Sequence, residues 1–136
     1  MEFQFKKENP DKAKRKEQCR LLLLKEPDKV PIVLEKDPLC HLEGIKKTRH
    51  LIKKDFTVNK FLLIIKRLMK LPQEEALFLA AKGKYNLVGE SSIGDIYNIY
   101  KDKEDGFLYI MYSSVLVYGW IWILLGKINK YDDYYK

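Results

Sequence analysis

Apolar positions along the chain change period several times, and each change marks an element. Residues 1–26 carry helical spacing broken at Glu8-Asn9-Pro10, where Pro10 suits a first helical turn and Asn9 a cap. The run DKAKRKEQCRLLLLKEP then places Ala13, Glu17, Leu21 and Leu24 at helical intervals, and Pro27 stops it. In KVPIVLEK the period becomes two: Val30, Ile32 and Leu34 alternate with Pro31, Val33 and Glu35. This predicts a strand, with Pro31 favouring an edge or a bulge because it has no N–H for a ladder. KTRHLIKK reads as a second strand.

The helical period returns in TVNKFLLIIKRLMKL. Val58, Phe61, Leu62, Ile65, Leu68 and Met69 share one face, Thr57 caps it and Pro72 ends it. ALFLAAK and YNLV are short strands joined at Gly83, and Ser92-x-x-Asp95 opens a short helix. FLYIMYS is apolar on both faces, the pattern of a strand at the centre of a sheet. After two leading helices, the β-β-α-β-β layout is that of a ubiquitin-like β-grasp. That is an α+β roll in which one helix packs across a mixed sheet.

Composition narrows the function classes. At 136 residues the chain is one domain, large enough to bury a core without disulfide or metal staples. Twenty-six Lys and Arg against nineteen Asp and Glu give +7, which admits acidic partners and anionic membrane surfaces. The basic stretch Lys12, Lys14, Arg15, Lys16 and Arg20 has no aromatic-basic recognition motif beside it, so nucleic acid is not an expected partner. It reads as a solvated helix face, or one that meets anionic headgroups. Cys19 and Cys40 make no disulfide framework, and the N-terminus has no apolar h-region, so a cytosolic setting is expected. Cys40-His41 is a poor nucleophile–base pair, because neighbours on an extended stretch point to opposite sides and no acid is placed. Two histidines also argue against a His-rich metal site, so no metal is expected.

Phe107–Gly126 carries no carboxylate, amine or guanidinium side chain. A hydropathy scan flags such a run as a membrane span. FLYIMY is needed as the central strand, however, and the remaining Val115–Leu125 would reach only about 16 Å of a ~30 Å hydrocarbon core.

PDKVPIVLEK (27–36), KDFTVNKF (54–61), EEALFL (74–79), SIGDIY (92–97) and FLYIMYS…VYG (107–119) stand in an order and at spacings with a precedent. Together they resemble the autophagy ubiquitin-like modifiers, the family of the GABA-receptor-associated protein, over residues 1–119. The resemblance implies an adaptor and tag. A processing cysteine protease would cut after Tyr118-Gly119, and activating and conjugating enzymes would pass the glycine carboxylate to phosphatidylethanolamine. Glycine suits that chemistry because, lacking Cβ, it threads a narrow channel and presents an unhindered carboxylate. No other cofactor is implied. The expected setting is the cytoplasm, then an autophagosomal or vesicle membrane after lipidation. The implied division is an N-terminal helical part (1–26), a ubiquitin-like domain with its tail (27–119) and a removable apolar extension (120–136).

The resemblance also implies docking of cargo receptors that carry an aromatic-x-x-aliphatic motif, added as a strand along the second strand's edge. By position, Glu17, Leu21, Pro31, Val33, Arg49, Leu51 and Phe107 build the aromatic pocket, with Lys47 beside Arg49 favouring acidic residues in the peptide. Ile52, Phe56, Phe61 and Ile64 build the aliphatic pocket. Two anchors at roughly 1.5–3 kcal/mol each, less ordering costs, suggest low-micromolar binding. Val33, Phe56, Phe61 and Ile64 also suit an ordinary core. The sequence departs from the family pattern at His50 (usually Tyr), Lys53 (Pro), Leu68 (Arg) and Gly106 (an aromatic), which bears on motif preference. The apolar cluster Trp120–Leu125 supports a different reading, a non-conjugated adaptor anchored to a membrane by this segment.

Overall fold

The computed structural model describes residues 3–72 and 74–114. Its elements are α1 (Gln4–Glu8), α2 (Lys12–Lys25), β1 (Lys29–Lys36), β2 (Arg49–Lys53), α3 (Val58–Met69), β3 (Phe78–Ala81), β4 (Tyr85–Leu87), α4 (Ile93–Tyr100) and β5 (Leu108–Ser113). The strands form one sheet in the order β2-β1-β5-β3-β4. β1 and β5 run parallel, and the remaining pairs are antiparallel. This is the expected β-grasp with two N-terminal helices.

β5 sits in the middle with every residue buried, which is why its sequence is apolar on both faces. It takes up the first part of the uncharged run, and among the described residues no helix is long and apolar enough to cross a membrane. The period-two alternation of β1 sorts the two cores. Val30, Ile32 and Leu34 join Phe61 and Ile65 of α3 and Ile93 and Ile96 of α4 on one face. Val33 faces the other way, with Phe107, Tyr109 and Met111, under Phe3, Phe5 and Cys19 of the N-terminal segment.

Caps set the helix boundaries. Thr57 accepts from the Lys60 amide and Ser92 from the Asp95 amide, as their positions in sequence predict. α3 closes on Lys70 in the left-handed conformation, just before Pro72. Gly94 lets α4 approach the chain leaving β2: a Cβ there would lie 3.1 Å from the Lys54 Cβ and 3.2 Å from its carbonyl oxygen. The Gly94 amide donates to that same carbonyl.

Four sequence expectations change. Asp11, not Asn9, caps α2, accepting from the Ala13 and Lys14 amides; Pro10 lies outside the helix and Asn9 closes α1. Pro31 lies in an inner strand. The Leu34 amide donates toward β2, so alternation turns the Pro31 nitrogen toward β5, whose ladder with β1 begins one residue later at Ile32. α2 buries Arg15 and Cys19, while Leu21 and Leu24 are exposed. Leu68 is likewise exposed on α3.

Candidate functional site

β2 is an edge strand. Among the described residues it pairs on one side only, with β1, so the outward amides and carbonyls of Arg49 and Leu51 stand open to another strand, while the Lys53 carbonyl accepts from the Phe56 amide. The register sets Pro31 opposite Leu51 and Val33 opposite Arg49. These four therefore share the α2 face of the sheet, while Ile52, opposite Val30, belongs to the α3 face. The two predicted pockets thus flank one strand from opposite faces.

On the α2 face a groove of about 590 Å³ runs along the edge, lined by Leu22, Lys46, Lys47, Thr48, Arg49, His50 and Leu51. Of the expected aromatic-pocket residues, Lys47, Arg49 and Leu51 line it. Pro31, Val33 and Phe107 are buried beneath, because Phe5 of α1 packs edge-on to Phe107 at 5.4 Å and Arg49 stacks over Phe5 at 5.8 Å. Glu17 and Leu21 are exposed on α2, and Glu17 is engaged with Arg20 of the same helix. Leu22, one residue on, supplies the helical wall instead. Four consecutive leucines (21–24) gave no means of choosing among them by spacing.

α1 and α2 are held over the sheet by side chains from the chain before β5. Arg15 Nε donates to Asp105 Oδ2 at 2.8 Å, and Arg15 Nη1 donates to the Asn9 carbonyl. Tyr109 Oη donates to Asp105 Oδ2, and the Phe107 amide to its Oδ1. Both carboxylate oxygens of this buried group are satisfied, which is what makes its burial tolerable. Lys6 adds a 2.6 Å bond to Asp102 and lies over the Tyr109 ring. At the start of α1 the Glu35 carboxylate accepts from the Gln4 and Phe5 amides, at 2.7 and 2.8 Å. These contacts tie the helical wall of the groove to the sheet.

On the α3 face Phe61 and Ile52 are buried in the main core, while Phe56 and Ile64 stay half-buried at the surface. The Lys60 ammonium stands 4.0 Å over the Phe56 ring. The open part of this side is therefore Phe56 and Ile64, with Phe61 and Ile52 as its floor.

Charge at the groove is positive, from Lys46, Lys47 and Arg49. His50 Nε2 donates to the Lys47 carbonyl at 2.9 Å. Burial pushes the His50 pKa below its ordinary value, against the raising effect of that hydrogen bond, and the Lys47 charge lowers it further. His50 is thus held neutral near pH 7, a donor rather than a fourth cation.

Cys40 and His41 do converge, on Ser114: Cys40 Sγ lies 3.9 Å and His41 Nδ1 3.3 Å from its Oγ. The Cys40 amide closes a turn on the Asp37 carbonyl and His41 follows directly, outside any strand, so both reach the same residue. Among the described residues no group of His, Cys, Asp and Glu could hold a metal ion. Tyr118, Gly119 and the extension 120–136 lie outside the described residues.

Comparison with known proteins agrees with this geometry. The family model described as "Autophagy protein Atg8 ubiquitin like" matches residues 14–119. The Arabidopsis thaliana protein "Autophagy-related protein 8e" is 35% identical over 117 residues, 85% of this chain and 92% of the relative. The crystal structure of Trypanosoma brucei ATG8 superposes with a TM-score of 0.77 at 28% identity, covering 83% of this chain and 95% of that one. The chain belongs to the Atg8 family of ubiquitin-like autophagy proteins.

Proposed function

We propose that the chain is a conjugated adaptor. It is cut after Gly119, joined through the glycine carboxylate to phosphatidylethanolamine, and binds cargo receptors at the β2 edge. The observation that carries the docking half is the open edge of β2 with a groove on its α2 face and half-buried Phe56 and Ile64 on its α3 face. On an added strand, residues three apart point to opposite faces. An aromatic-x-x-aliphatic peptide would thus send its aromatic anchor toward Leu22 and Leu51 and its aliphatic anchor toward Phe56 and Ile64. Lys46, Lys47 and Arg49 would meet acidic residues beside the motif.

The family membership and the Tyr118-Gly119 step in the sequence support the conjugation half. In this reading the chain is substrate and scaffold, not enzyme. Its partners are the processing protease, the activating and conjugating enzymes and the receptors, and it moves from the cytoplasm to autophagosomal or vesicle membranes once lipidated. Intact mass after incubation in cell extract tests this. Loss of residues 120–136, abolished by Gly119→Ala, is the expected result. A chain that stays whole and partitions onto vesicles through Trp120–Leu125 would favour the membrane-anchored adaptor instead.

A further inference from the structure

The extension contains Trp122-Ile123-Leu124-Leu125, an aromatic-x-x-aliphatic sequence of its own. We propose that, before processing, this segment occupies the β2-edge groove of the same chain and competes with receptor peptides. The inference rests on the docking reading above and names a regulator of that site.

Reach and direction both allow it. β5 is two strands in from the open edge, so an added strand would lie three sheet spacings from it, about 14 Å. The parallel register sets Tyr112 beside Lys36, and the antiparallel one sets Val33 beside Arg49. Continued, these registers place Ser114 about 16 Å along the strand beyond the Arg49 level. The straight separation is therefore about 22 Å, and the chain from Ser114 to Trp122 spans up to about 28 Å when extended. Trp120, nearer Ser114, falls just short at about 21 Å.

The chain also leaves the sheet at the end where β2 begins. A segment that turns along the open edge from there runs parallel to β2. It meets Arg49 and Leu51 first and Phe56 later, so Trp122 comes to the α2-face groove and Leu125 to the α3-face pocket. That is the order the motif requires.

The effect has a natural size. No Asp or Glu directly precedes Trp122, so Lys46, Lys47 and Arg49 gain no partner there and intrinsic affinity is low, about 100 μM. A short tether supplies an effective concentration of about 1 mM. Receptor peptides should therefore bind the full chain about tenfold more weakly than a chain whose segment cannot dock. Cleavage after Gly119 would then uncover the groove in the same step that exposes the reactive carboxylate.

The test uses the full chain and its Trp122→Ser/Leu125→Ser variant, both changes lying outside the described fold. A fluorescein-labelled peptide with an acidic run before Trp-x-x-Leu is titrated into each, read by anisotropy, with amide spectra of the free proteins recorded at two concentrations. About tenfold tighter binding to the variant is expected, with Arg49–Ile52 amides differing between the two proteins at both concentrations. Equal, measurable affinity would overturn the inference and leave the docking reading standing. No binding to either protein would overturn both. Amide differences that vanish on dilution would put the segment on a second copy and overturn the intramolecular form.

Discussion

Arg15 and Asp105 form a buried ion pair, 2.8 Å between Nε and Oδ2, that ties α2 to the chain entering the central strand. Arg15→Met leaves Asp105 with Tyr109 Oη and the Phe107 amide but without its cation. It should cost about 3–5 kcal/mol, as removal of one member of a buried pair does. Arg15→Met combined with Asp105→Leu, which removes both charges, should cost less than Arg15→Met alone. Urea melts of the two variants check this.

Gly106 and Cys19 fit each other. Gly106 has φ +85°, and a Cβ there would stand 3.1 Å from Cys19 Sγ. Tyr97 Oη donates to the Gly106 carbonyl at 2.7 Å and fixes the turn. Gly106→Ala should therefore destabilise by about 1–3 kcal/mol. In a Cys19→Ala background the cost should fall without disappearing, because the thiol clash goes and the backbone strain remains. Burial also pushes the Cys19 thiol up to about 11, so alkylation at pH 8 should proceed only in denaturant.

Lys6 and Asp102 give the fold an acid limb. Burial raises the Asp102 pKa, but hydrogen bonds from Lys6 and from the Glu104 and Asp105 amides, with the Lys6 charge, carry it below its ordinary value. The folded state thus prefers the carboxylate, and the unfolded chain takes up the proton first as pH falls. The contribution is complete above about pH 5 and is lost through the ordinary value of about 4 toward the lower folded one. Lys6→Met should make the urea midpoint less sensitive to pH between about 5 and 3.

Much of this fold is written in local pattern. The period of two in Val30–Leu34, the Thr57 and Ser92 caps and the two-faced apolarity of Phe107–Ser113 each specify an element without outside help. Long-range pairing was not legible in the same way. The inward turn of Arg15 depends on Asp105, ninety residues away, so a helix that reads as evenly basic hides a core cation. Glu35 reads as the polar side of a strand, yet it caps α1 from the sheet.

The site shows the same division. The edge position of β2 came with the family resemblance and its flanking basic residues stand in the sequence, but the choice between groove wall and floor was given by neither. Val33 and Phe107 are closed over by Phe5, whose packing no local spacing announces. Phe107→Ala would therefore mainly open a core cavity, at about 3–5 kcal/mol, and Leu51 or Arg49 is the better probe of docking.

The docking claim is tested most directly by amide shift mapping. A peptide with acidic residues before Trp-x-x-Leu is titrated into the Trp122→Ser/Leu125→Ser protein, alone and with Arg49→Glu or Leu51→Asp added. The account predicts saturable shifts centred on Arg49–Ile52, with flanking shifts at Leu22 and Phe56. It also predicts about tenfold weaker binding in either added variant, with the rest of the spectrum unchanged. Shifts confined to the opposite edge at Tyr85–Leu87, or affinity indifferent to both substitutions, would contradict it.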